Sequence, residues 1–121
     1  MRDAILGSVE NRRITTFQHL TADVPGFFGS VAMFTPVRDS LIIWHACSWE
    51  AIEELGALIG DGSVRMHPAP NVSYLHTDDL PPVPICRDIE DFKSDTAVIR
   101  WFPVVFTDPS IKQLEPDEFV P

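Results

Sequence analysis

Cysteine is scarce in this chain: the 121 residues hold only Cys47 and Cys86. Two are too few for a disulfide framework. The first ten residues contain Asp3 and Glu10 and no long apolar run, so no export signal is expected there. Together these features predict a reduced, cytoplasmic setting. Long hydrophobic runs are missing too. No stretch nears the roughly 18 apolar residues of a membrane span, which predicts no membrane partner. Basic residues are few, 9 Lys+Arg against 18 Asp+Glu, for a formal net charge of -9. That balance argues against direct nucleic-acid binding, which needs a basic face. Glycine is absent after Gly62, although nine of the eleven prolines lie beyond it. Turns in that half must rely on Pro, Asp, Asn and Ser, which stiffen the connections. There is no internal repeat, no phosphate-cradling glycine loop and no dinucleotide fingerprint, so no cofactor is predicted.

What is present suffices for a core. The chain is 45% hydrophobic and 10% aromatic, too rich in both for intrinsic disorder. Its length suits one domain. Residues 1–107 are read as that domain, and residues 108–121 as an acidic tail bounded by prolines.

Residues 41–47 begin with Leu-Ile-Ile-Trp, a continuous apolar run suited to a strand covered on both faces. Residues 31–36 precede it across a short connection and suggest an antiparallel hairpin. Ser48 then offers an N-cap, with Glu50 in the following turn. Ile52, Leu55, Leu58 and Ile59 make one helical stripe, opposite Glu50, Glu53, Glu54 and Ala57. A helix is therefore predicted over residues 49–59, ended by Gly60 or Gly62.

The other segments are less regular. Residues 1–10 fit either a short helix or an arm. Residues 14–20 are rich in Thr and Phe and read as a strand. Residues 21–30 read as a loop, with Phe27 and Phe28 tucked beneath it or, as the alternative, anchoring a partner. Residues 64–67 and 72–76 read as short strands, and 88–93 as a single helical turn. The proline run ending at Pro84 should cross the surface outside any ladder. Residues 96–107 read as a strand interrupted by Pro103. The expected fold class is α+β: a mostly antiparallel sheet of about 5–6 strands with one clear amphipathic helix packed on it.

Chemistry-bearing constellations are weak. His45 and Cys47 share a strand face just before a helix start, the layout of an activated thiolate. They stand two residues apart, however, with no third orienting group and an apolar surround. Ser48 sits at a strand-to-helix junction but lacks the glycines of a nucleophile elbow. His45, Cys47, His67, His76, Cys86, Asp78 and Asp79 are suitable metal donors, yet none has the close spacing of a structural zinc site. No metal and no catalytic residue is assigned.

The charge is more informative. Residues 1–40 carry four basic and four acidic groups, and the entire excess lies beyond them. Glu50, Glu53 and Glu54 form one acidic block. Asp78, Asp79, Asp88, Glu90 and Asp91 form a second. Grouped carboxylates select basic partners by complementary potential. The expected function is a small acidic protein-binding module that uses these eight residues. It would inhibit or neutralise a basic protein, such as one that itself binds nucleic acid, by occlusion. Immunity-type proteins, phage anti-defence proteins and nucleic-acid mimics are of this class. The alternatives are an oligomer-forming subunit of a larger assembly and a small thiol or metal enzyme using Cys47 and His45.

Overall fold

The computed structural model describes residues 1–35, 40–69, 80–86 and 98–115. Among them the architecture is mixed α+β, with three helices and two small sheets. The helices are α1 (Arg2–Asn11), α2 (Phe17–Asp23) and α3 (Trp49–Gly60). The strands are β1 (Phe28–Phe34), β2 (Leu41–Cys47), β3 (Arg65–Pro68), β4 (Arg100–Trp101) and β5 (Val104–Thr107). No helix among the described residues is long and apolar enough to cross a membrane.

The predicted single sheet of 5–6 strands is divided. One sheet has the order β1-β2-β4 and the other pairs β3 with β5. Pro103 is where the division falls. Without an N–H it cannot continue the ladder, so the chain changes sheet there. Before it, β4 runs parallel to β2, with Leu41 opposite Arg100. After it, β5 runs antiparallel to β3, with Met66 opposite Phe106. Two of the three strand pairs among the described residues are antiparallel, as expected, and α3 lies in the long connection that the one parallel pair requires. The proline run also differs from its reading. The Pro84 carbonyl accepts from Trp101 N at 2.8 Å, and Cys86 N donates to the Trp101 carbonyl at 2.7 Å. Pro84 lacks a donor, but its acceptor still serves the ladder.

One clear helix was expected, and three are present. α1 buries Ile5, Ser8 and Val9, the i, i+3, i+4 set of one helical face. α2 replaces the expected strand over residues 14–20 and shortens the expected loop. Its cause is a capping box: the Thr16 hydroxyl accepts from His19 N, and His19 Nδ1 accepts from Thr16 N. Only Thr15 keeps strand character, bridging to Phe106 through 2.8 and 2.9 Å hydrogen bonds. α1 and α2 are clamped by Asp23, which accepts from Ser8 Oγ at 2.7 Å and from both Arg12 Nε and Nη2. Those bonds, Arg12 foremost, hold the Asp23 carboxyl down at about 2.

α3 matches its prediction, with Ser48 as N-cap accepting from Ala51 N at 3.1 Å. Gly62, at φ +81°, supplies the left-handed residue after its end. The core between helices and sheets centres on Phe17, which stacks on Trp44 with ring centroids 5.4 Å apart. The expected strand at 72–76 and helical turn at 88–93 lie outside the described residues.

Candidate functional site

Ser48 organises the site locally. Its backbone N donates to the Phe27 carbonyl at 2.8 Å, and its hydroxyl donates to the Gly26 carbonyl at 2.7 Å while accepting from Ala51 N. The hydroxyl is thus fully used in holding the start of β1 against the start of α3. It has no proton free for nucleophilic work. The same junction separates two neighbouring aromatics that were expected to tuck in together. Phe27 is fully buried, whereas Phe28 is 64% exposed. Phe28 pairs across the ladder with Cys47. Trp49, two residues beyond Cys47, is 67% exposed. The two most exposed large apolar side chains among the described residues therefore flank one backbone junction.

Carboxylates border this pair. Glu50 and Glu53 are exposed on α3, one turn apart. Glu54 was grouped with them, but it is only half-buried at the helix margin. Its i-3 and i+4 neighbours, Ala51 and Leu58, are both fully buried. Asp78, Asp79, Asp88, Glu90 and Asp91 lie outside the described residues.

An apolar cavity of about 370 Å³ opens farther along the same surface. Met33 and Phe34 from β1 form one wall, and Ile52, Gly56, Ile59 and Gly60 of α3 form the other. Ile43 of β2 and Met66 of β3 also line it. Gly56 and Gly60 face open space, with no atom within 4 Å of where a Cβ would stand. β1 and α3 thus begin together at Ser48 and end together at the cavity. Sequence reasoning held Phe28 only as an alternative partner anchor, and it did not single out Trp49 or the two glycines for this surface. Trp49 had a legible signal, because it falls off the Leu55–Leu58 stripe of its own helix.

The thiol reading fares differently. Cys47 is fully buried, and burial pushes its thiol up to about 12. A thiol so raised is not a nucleophile at neutral pH. His45 is half-buried, its ring tilted against Trp44 at 4.9 Å. Among the described residues, no three His, Cys, Asp or Glu side chains converge as a metal site. Asp78, Asp79 and His76, considered as donors, fall outside those residues.

Two histidines have structural work instead. His67 is 7% exposed, and its Nε2 lies 2.6 Å from Thr107 Oγ1. The Thr107 hydroxyl donates to the Asp108 carbonyl at 3.1 Å. With the Thr107 proton given to Asp108, the contact is made by the Nε2–H tautomer of the neutral His67 ring. Burial first, and then Arg65, lowers the His67 pKa. Burial and then Arg12 lower that of His19, whose Nδ1 must stay unprotonated to accept from Thr16. In both cases the folded chain favours the neutral form. Their stabilisation is complete above the unfolded value of about 6.5 and is lost as pH falls through the lower folded values. Thermal unfolding followed by circular dichroism should give a lower Tm at pH 5 than at pH 7.5. His19→Gln keeps a capping residue without a titrating ring, so it should flatten part of that slope.

No family model, no curated protein and no solved structure matches this chain. The arrangement itself defines a class: a small α+β domain whose distinctive surface is apolar, aromatic at one end and edged by carboxylates. That surface offers apolar and acidic contacts, and among the described residues no three His, Cys, Asp or Glu side chains gather beside it.

Proposed function

We propose that this chain is a protein-binding module that occludes a basic protein partner, and so inhibits or neutralises it, through the α3–β1 surface. One observation carries the reading: Phe28 and Trp49 stand exposed at a single junction, with Glu50 and Glu53 exposed beside them. Large apolar side chains left this exposed at one backbone junction are the kind of groups that serve as interface anchors. Carboxylates at the rim add on-rate and select for Lys and Arg. The acidic residues beyond the described segments would extend the same potential, as the -9 charge suggests.

The test is affinity capture from the native host, with the wild-type chain and a Phe28→Ser, Trp49→Ser variant immobilised in parallel. A basic protein should be retained by the wild type and released by rising salt. The variant should bind it at least tenfold more weakly while keeping the wild-type Tm, because neither side chain is packed in the core. The purified partner should also lose activity when the chain is added. Retention that is indifferent to salt and to the variant would remove this reading. Inertness of the partner's activity to a bound chain would leave a binder but no inhibitor.

A further inference from the structure

We infer that the occupant of the α3–β1 surface is a basic amphipathic helix, with one apolar anchor on the Phe28–Trp49 ledge and another in the apolar cavity. This rests on the protein-binding reading above and names the shape and chemistry of the partner.

Spacing is the first support. α3 carries Trp49 at its start and Gly56 in the cavity wall, seven residues apart. Seven residues of helix rise about 10.5 Å, two turns. A helix laid alongside would meet ledge and cavity with residues at i and i+7, the spacing of groove-bound helices. The seven residues of β1 can span roughly 20 Å and the twelve of α3 about 18 Å, lengths that match about three turns of a bound helix.

The walls give the second support. Gly56 and Gly60 lie four apart with open space above them, so a second helix backbone can come close. The cavity lining offers no side-chain donor or acceptor from Met33, Phe34, Ile52 or Ile59, and therefore suits an aliphatic or aromatic side chain.

Charge gives the third. Together β1 and α3 contain three carboxylates and no Lys or Arg. Arg65 of β3 lines an adjacent cavity, and its guanidinium reaches the Lys112 carbonyl at 3.5 Å. Lys or Arg flanking the partner's apolar stripe would meet Glu50 and Glu53. A second copy of this chain would bring the same carboxylates against another molecule of charge -9, which complementarity disfavours. An added strand suits the surface less well. The β1 register shifts at three places, between Phe28 and Phe34, and such irregularity spoils an edge for pairing.

The experiment uses the full chain and three fluorescein-labelled 18-residue peptides read by anisotropy. One is a Leu/Lys sequence with leucines at helical spacing. The second has the same composition with strict alternation. The third is the helical sequence with Glu in place of Lys. The helical Leu/Lys peptide should bind at least tenfold more tightly than either control. Gly56→Leu fills the cavity and should weaken that binding at least tenfold. Its Tm should rise, since glycine is a poor helix former. Gly60→Leu provides a second block of the same cavity. Glu53→Lys should lower the salt dependence. Equal binding of the alternating peptide, binding unaffected by both leucine variants, or a dimer that buries Trp49 would each overturn the inference. If partner capture is still lost with the Phe28 and Trp49 variant, the protein-binding reading survives that failure. If capture is indifferent to those residues, the reading itself falls, whatever the peptides do.

Discussion

Replacing Gly29 with alanine should lower stability by about 3 kcal/mol, at the upper end of what overpacking costs. A Cβ built there would lie 2.5 Å from the Cys47 carbonyl oxygen and 2.7 Å from Ser48 Cα. All of these are backbone atoms, so no side chain can swing aside. Gly29 sits inside a bulge in which Phe28 and Val31 both register with Cys47. An added methyl must push β1 away from the β2–α3 junction, and the Ser48 N to Phe27 carbonyl bond would lengthen or break. For a domain of this size that cost corresponds to a Tm drop of roughly 10 °C. The proposed partner binding should weaken with it, because Phe28 shifts relative to the β2–α3 junction. Gly7→Ala provides the opposite sign. Gly7 is inside α1, with nothing within 4 Å of its missing Cβ, and alanine there should stabilise by about 0.5–1 kcal/mol. Denaturant unfolding of the two variants checks both. A Gly29→Ala chain as stable as wild type would show that the junction is looser than the structure has it.

The contrast between those two glycines also marks where sequence reading works and where it stops. α3 was legible because every signal was local: Ser48 as cap, Glu50 in the first turn, and an unbroken apolar stripe. β2 was legible because four consecutive large apolar residues leave few other options. α2 was misread because Thr and Phe favour strands, while its box uses His19 where Glu or Gln is usual. Divided sheets were not legible either. Pro103 signalled an interruption, but which partner each half would take depends on residues roughly forty to sixty positions away.

The candidate site divides along the same line. Glu50 and Glu53 could be placed as soon as the helix was placed. Glu54 could not, because a helical wheel does not show how far the core wraps around each flank. Phe27 is fixed by its carbonyl's bond from Ser48 N while Phe28 opens β1 opposite Cys47, and the cavity draws on four elements. Both are long-range properties. Charge patterning led to the proposal of a binding surface; the exposed Phe28 and Trp49, which would be its anchors, could be placed only with the fold.

Phe17→Ala should have the largest effect of any single change considered, a loss of about 3–5 kcal/mol, the usual cost of emptying a buried phenylalanine site. Phe17 is fully buried and contacts three aromatic rings. It stacks on Trp44, meets Phe106 edge-on at 5.1 Å and tilts against Phe27 at 6.2 Å. Truncation therefore removes apolar area and aromatic pairing together. The damage should begin in α2, whose seven residues are too few to hold a helix alone. Phe17 and Leu20 are its buried residues, so losing Phe17 leaves Leu20 and the Thr16 cap to dock it. Asp23 ends this helix, so its release would also free Arg12 and the buried Ser8 of α1. Hydrogen exchange should thus speed up first over residues 17–23 and next over 2–11, with α3 protected longest. Phe17→Leu keeps much of the volume and loses the ring stack, and should cost about 1–2 kcal/mol with the same order of exchange. If Phe17→Ala instead lowered protection evenly along the whole chain, α2 would be part of one cooperative unit with α3. The proposed partner surface would then depend on the N-terminal helices as strongly as on its own Ser48 junction.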